Sequence, residues 1–129
     1  MKAVDVEYIV VHCSDSPQGR GDNAETIHRW HLEKGWDGIG YHRVVLENGA
    51  VEHGRPLYWV GAHASGINSK SVGICLIGDG AFTLQQWNAL RGLILDLLKK
   101  FPRAKVVGHN YFDSNKDCPC FDVGAWWAD

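Results

Sequence analysis

No run of apolar residues in this 129-residue chain approaches the roughly 20 needed for a membrane-crossing helix. The opening Met1-Lys2-Ala3-Val4-Asp5 also lacks the apolar segment that heads a secretory leader. The expectation is a soluble protein made in the cytoplasm, with no membrane partner. An excess of one charge is missing too: 13 Lys and Arg stand against 15 Asp and Glu, a formal charge of −2. No general field draws the chain to nucleic acid or to an anionic surface, so its partner must be recognised locally. Internal repeats, linkers and low-complexity tracts are absent, which leaves one domain with one core. Cysteine is scarce, at four. Cys13 and Cys75 sit within strand-like apolar runs, where a thiol behaves as a small hydrophobe. Free thiols in a reducing compartment are therefore the more economical reading than two disulfides.

What is present is an ordinary globular composition, 45% apolar and 22% charged. Residues 6 to 12 are apolar on both faces, as suits a strand in the interior of a sheet. Asp22 with Glu25 three residues on predicts a capping box opening a helix that runs to about Lys34 and stops at Gly35, with Ile27, Trp30 and His31 inward. Asn48-Gly49 between apolar alternating runs predicts a hairpin whose first strand begins at Tyr41, and Ser71 to Gly78 reads as another strand buried on both faces. Thr83 with Gln86 predicts a second helix carrying Trp87, Leu90, Ile94, Leu97, Leu98 and Phe101 at three-to-four spacing, ended by Pro102. A strand from about Lys105 to Gly108 and a short helix around Ala125-Trp126-Trp127 complete an α/β domain, its sheet covered by helices. A compact domain of modest charge is compatible with a monomer.

The chemistry gathers in Gly108-His109-Asn110-Tyr111-Phe112-Asp113-Ser114-Asn115-Lys116-Asp117-Cys118-Pro119-Cys120, an irregular segment just beyond the last strand. Such a loop can fold an imidazole and a thiol onto one ion, because it adopts whatever dihedrals the ligands need. The best third ligand is His12, at the end of the apolar run from Tyr8. Two imidazoles and one thiolate leave a tetrahedral zinc one open position, the arrangement of a catalytic ion rather than a closed structural one. Period two sends Cys13 to the face opposite His12, so it should not share that ion. His28 and His31, three apart on the first helix, can also hold a metal, but part-solvated, part-packed side chains are the simpler reading. Cys120 reads as a structural thiol and His42 as buried.

Five ordered blocks carry a family resemblance that spans residues 6 to 127. They are Ile9-Val10-Val11-His12-Cys13-Ser14; Gly35-Trp36 with Gly38-Ile39-Gly40-Tyr41-His42; Gly61-Ala62-His63-Ala64 with Asn68; Ser71-Val72-Gly73-Ile74; and Gly108-His109 with Lys116-Asp117-Cys118-Pro119-Cys120-Phe121-Asp122. Together they resemble the type 2 N-acetylmuramoyl-L-alanine amidases, in particular the short bacteriophage lysozyme-amidases of the T7 type, and beyond them the animal peptidoglycan recognition proteins. The resemblance implies a mixed central β-sheet flanked by helices and one catalytic Zn2+ in a surface groove. It also implies bacterial peptidoglycan as the partner and hydrolysis of the amide between N-acetylmuramic acid and L-alanine, in an endolysin's role of cell lysis after release to the wall. By position, His12, His109 and Cys118 match the zinc ligands, and Tyr41 and Lys116 the catalytic pair. One departure stands out: many relatives follow the second ligand His with Arg-Asp, where this chain has Asn110-Tyr111.

Tyr41, with an ordinary pKa near 10, is a poor base, so its expected task is to orient water or hydrogen-bond the reacting oxygen. Lys116, two residues from Cys118, can set an ammonium beside a developing oxyanion. His63 reads either as a satisfied core histidine or as a groove wall that, with Asn68, contacts glycan or peptide. Two other function classes compete: a peptidoglycan-binding module without activity, against which the resemblance sets the retained Cys118, and a cysteine hydrolase using Cys13 or Cys118. The last predicts sensitivity to alkylation and indifference to chelators.

Overall fold

A five-stranded sheet in the order β3-β2-β4-β1-β5 forms the middle layer of the computed structural model, which describes residues 1–128. The strands are β1 (Tyr8–Cys13), β2 (Arg43–Val45), β3 (Val51–His53), β4 (Ser71–Leu76) and β5 (Lys105–Gly108). Only β2 and β3 pair antiparallel; β2 with β4, β4 with β1 and β1 with β5 are parallel, so the sheet is mixed. The helices are α1 (Ala24–Glu33), α2 (Leu84–Lys100) and α3 (Val123–Ala128). None of them is long and apolar enough to cross a membrane.

The two faces of β1 and β4 are apolar because different elements cover them. Ile9 and Val11 of β1, with Ile74 and Leu76 of β4, face Leu90, Ile94, Leu97 and Phe101 on the α2 side. Cys75 and Ile77 pack with Ile27 of α1 on the other face, and Val10 and Val107 meet Ala64 and Ile67 of the loop beyond β3. His12 shares the Val10 face by period two. Side chains buried this fully contribute roughly 1.5–3 kcal/mol each, and Phe101 with most of this set is 0% exposed.

α2 starts as the sequence predicts: Thr83 accepts from the Gln86 amide, and the Gln86 side chain accepts from Thr83 N. Gln86 is fully buried, since its Nε2 also donates to the Ile77 and Val45 carbonyls. α1 departs from the prediction by one residue. Asn23 is its N-cap and Thr26 the reciprocal partner, while Asp22 is taken by the Arg20 guanidinium at 2.8 Å. The hairpin is present, with Gly49 at φ +87° and its N–H donating to Leu46 O, a turn longer than a two-residue Asn-Gly loop. Tyr41 is not its first residue. The Gly40 and Tyr41 carbonyls accept from Ala62 N and Arg55 N, outside the ladder, and β2 starts at Arg43.

Histidines of α1 explain why this segment takes that path. His28 Nδ1 accepts from Ile39 N at 3.0 Å and His31 Nδ1 accepts from Gly40 N at 2.9 Å. They act as acceptors for backbone N–H groups rather than as a metal pair. A side chain at Gly40 would collide with the Ala62 carbonyl. His42 is buried, as expected, accepting from Gly73 N and donating to the Trp59 carbonyl.

Two predictions follow from these buried polar contacts. Gln86→Ala removes the reciprocal half of the capping box and leaves the Ile77 carbonyl without its donor, so the urea midpoint should fall by the equivalent of about 2–4 kcal/mol; a loss under about 0.5 kcal/mol would show that neither bond matters. Burial pushes His31 from 6.5 down to about 4, with the Lys34 and Arg55 charges adding to it. The unfolded ring then binds its proton more tightly than the folded one, so stability is full above pH 6.5 and declines as pH falls toward 4. Urea midpoints of metal-free protein across that window should show the decline, and His31→Gln should lessen it.

A histidine, histidine and cysteine group in a groove beside the sheet

The parallel register of β1 and β5 pairs Val11 with Gly108, so the next residue of each chain, His12 and His109, emerge side by side. Their rings stand 4.6 Å apart, centre to centre. His109 opens a single 3₁₀ turn, His109–Tyr111, that redirects the chain out of the strand. The loop then returns, because Asn110 N donates to the Cys118 carbonyl at 2.9 Å and Asn110 Nδ2 to the Phe121 carbonyl at 3.3 Å. Asn110 is thus the clip that closes the loop. Beyond it, Phe121 packs 4.8 Å from the Trp87 ring, and Trp126 packs 5.6 Å from Trp87, which ties the returning segment to α2. Arg91 lies over Trp126 and Trp127 at 4.9 and 5.3 Å.

The outcome, among the described residues, is one group of possible metal ligands: the donor atoms of His12, His109 and Cys118 all lie within 4.8 Å of one another. A tetrahedral zinc with bonds of about 2.0–2.3 Å sets its ligands roughly 3.5 Å apart, so shifts on the order of 1 Å would close the group on an ion. The protonation states suit such an ion. Burial lowers His12 well below its ordinary value, helped by the neighbouring His63 and His109. His109 is lowered by burial and by the Lys116 charge. Both rings are therefore neutral near pH 7 and offer lone pairs. Cys118 is shifted toward thiolate by a hydrogen bond from the Cys13 side chain and by the Cys13 N–H, which points at its Sγ at 3.2 Å. Cys13 is not in the ligand group, as its strand position predicts, yet it holds the ligand that is.

A groove of about 830 Å³ exposes this group, and its walls include Trp36, Tyr41, His63, Asn68 and Lys116. A hollow of about 930 Å³ lies behind the same loop, against β5 and Val123. It reaches neither imidazole nor the Cys118 thiol, so size alone does not make it the reactive site. Tyr41 sits 5.0 Å from the His12 ring, and burial, together with the thiols of Cys75, Cys118 and Cys13, raises its phenol well above 10. It stays protonated and can donate, but it is no base at neutral pH. Lys116 is exposed on the loop, its backbone N–H bonded to the Asp113 carbonyl at 3.0 Å.

His63 and Asn68 line the groove, but their polar atoms are used internally. Asn68 Oδ1 accepts from the backbone N–H of both His63 and Ala64 at 2.9 Å. His63 Nδ1 meets His12 Nε2 at 2.9 Å and His63 Nε2 meets Ser71 Oγ at 3.2 Å. Burial drives its pKa down to about 3, so this ring is neutral as well. Cys120, expected to be structural, is exposed and lies outside the ligand group. Sequence reasoning passed over three contributors: the Asn110 clip, the Cys13 N–H, and Trp36, which is 42% exposed on the groove wall between the Lys34 ammonium and the His31 ring. Trp36 and Cys13 stood in the blocks that carry the resemblance and Asn110 in the departure from it, but nothing in those signals gave any of the three its task.

Comparison with known proteins shows the family. The endolysin of Escherichia phage T7 is 39% identical over 127 residues, covering 92% of this chain and 83% of its own. LysC, an N-acetylmuramoyl-L-alanine amidase from Clostridium intestinale, superposes with a TM-score of 0.85 at 28% identity, covering 96% of this chain and 83% of its own. A Drosophila peptidoglycan recognition protein LB variant solved in complex with tracheal cytotoxin gives 0.83 at 29%, covering 96% and 80%. The family profile for N-acetylmuramoyl-L-alanine amidase matches residues 2–121, nearly the whole chain and all three members of the ligand group, and the chain belongs to that family.

Proposed function

We propose that this protein is a zinc-dependent endolysin that hydrolyses the amide between N-acetylmuramic acid and the L-alanine of the stem peptide, serving a bacteriophage in lysis of its host. The observation that carries this reading is the convergence of His12, His109 and Cys118 in one groove with Tyr41 and Lys116. The endolysin relatives of phages T7 and T3, at 39% and 38% identity, support the phage role. The recognition protein seen with tracheal cytotoxin supports a muropeptide as the occupant of the groove.

His12 and His109 would hold the ion through neutral nitrogens and Cys118 through its thiolate, a donor set soft enough for zinc and one ligand short of a closed site. Zinc there supplies a Lewis acid that polarises an amide carbonyl and brings the pKa of water toward neutrality. The chain's own groups do the rest. Tyr41, kept as a phenol by its burial, lines the groove and would give its hydroxyl proton to an approaching oxygen, fixing the direction of that approach. Lys116 brings a positive charge to the groove rim on a loop whose two ends are anchored, so the charge needs little reorganisation as negative charge builds on the carbonyl oxygen. Trp36 leaves part of its indole exposed on the groove wall, apolar surface against which the substrate can pack.

The test is mass spectrometry of purified peptidoglycan digested by the protein as prepared, after prolonged chelation, and after zinc is restored. Free stem peptides beginning at L-alanine should appear, vanish with chelator and return with zinc. Protein that still pulls down peptidoglycan but cuts nothing would support a binding module; activity lost to thiol alkylation but indifferent to chelator would support a cysteine hydrolase. Lys116→Ala should keep its zinc and lose turnover on the order of 10²-fold, and metal-free protein from that variant would overturn its assignment. Tyr41→Phe should cost a similar factor, roughly 10²-fold, mostly in kcat because a transition-state hydrogen bond is removed.

A further inference from the structure

The histidine beside the ligand group belongs to a hydrogen-bonded chain whose direction can be worked out from one end. The Ile67 carbonyl can only accept, so the Ser71 hydroxyl, 2.8 Å away, must donate its single proton there. Ser71 Oγ is then free only to accept, and its partner at 3.2 Å, His63 Nε2, must carry a hydrogen. A neutral imidazole has one N–H, so His63 Nδ1 is left with a lone pair. That atom lies 2.9 Å from His12 Nε2, which must therefore be the donor. The remaining nitrogen of His12, Nδ1, carries no proton.

The chain is held by packing as well as by hydrogen bonds. A Cβ on Gly73 would stand 2.6 Å from His63 Cγ, and one on Gly61 would stand 2.7 Å from His63 Cδ2. The His63 ring fills the space these two glycines leave open, and Asn68 Oδ1 pins its backbone N–H. The ring sits nearly perpendicular to His12, at 89°, with an edge aimed at Nε2.

We infer that Ser71 and His63 lock the tautomer and ring orientation of His12, so that His12 presents Nδ1 to the metal, and that His63 is a positioning residue of the metal centre rather than a contact for glycan or peptide. The inference rests on the zinc reading proposed above. Ligand imidazoles commonly give their second N–H to a carboxylate, a carbonyl or water, and losing that partner costs about 10–100-fold in metal affinity. Here the acceptor is a second imidazole, itself oriented by a serine that touches neither groove nor ligand group.

The experiment reads the nitrogens directly. Protein labelled with nitrogen-15 at histidine is loaded with zinc or with cadmium-113, and its imidazole tautomers are assigned by long-range nitrogen–proton correlation. Cadmium coupling to His12 Nδ1, with the N–H on Nε2 of both His12 and His63, is the expected result. Coupling to His12 Nε2, or an Nδ1–H tautomer of His63, overturns the inference while leaving the zinc reading standing. Wild-type protein that holds neither metal overturns both. Zinc affinity by chelator competition supplies the second arm: Ser71→Ala and His63→Ala should each bind zinc about 10–100-fold more weakly. Folded Ser71→Ala with wild-type zinc affinity shows the chain to be structural only and overturns the inference. Should either variant fail to fold, the wild-type spectra decide.

Discussion

Parallel pairing of β1 with β5, in the register that sets Val11 opposite Gly108, brings two imidazoles from residues 97 apart in sequence to one end of the sheet. Every other feature of the site presupposes that register. In a strand the side chains alternate, so a slip of one residue would turn His12 into the face packed by α2 and take it away from His109. The slip is opposed by the whole apolar face: Ile9 and Val11 would leave the core formed with Leu90 and Ile94, a cost of several buried side chains at roughly 1.5–3 kcal/mol each. The core under α2 thus specifies the metal group although it contributes none of the three possible ligands.

A rigid sheet end supplies two of the possible ligands, and the third comes from a loop. Cys118 lies nine residues beyond His109, and a loop of that length would wander unless its ends were held. Asn110 closes it near the start, and the stacked aromatics Phe121, Trp87 and Trp126 hold it on α2 at the far end. The short span between, which carries Lys116, is the part left exposed to the groove. Precision at the thiolate and reach at the ammonium arise from the same anchoring.

Neutral imidazole is the recurring chemical device of this fold. His28, His31 and His42 accept from backbone N–H groups, which a protonated ring could not do at the same atom, and His63 accepts from His12. Desolvation lowers the pKa of His12, His31, His42 and His63 together, so the state that suits a metal ligand is also the state that suits the surrounding hydrogen bonds. Protonation in acid therefore opposes the fold and the metal group at once.

The strands and helices were legible in the residues because burial imposes periods of two and 3.6 on whichever segments meet the core. Thr83 with Gln86, the β5 run and the amphipathic stripe of α2 all appear where the pattern puts them. The three candidate ligands were legible as well, since only a few residue types bind zinc and their order along the chain matched a family. Boundaries set by competition were not. Asp22 yielded the cap of α1 to Asn23 because Arg20 engages its carboxylate, and Tyr41 stayed out of the ladder because Ala62 and Arg55 donate to that stretch of backbone. The sequence by itself determined which elements form and which side chains can hold a metal, because those depend on local spacing and on chemistry carried by each residue. Only the tertiary structure decided that His63 and Asn68 spend their polar atoms inside the protein, and that Asn110 closes the loop. Those facts are hydrogen-bond pairings between distant segments, and a pairing has no existence until the sheet has brought both partners together.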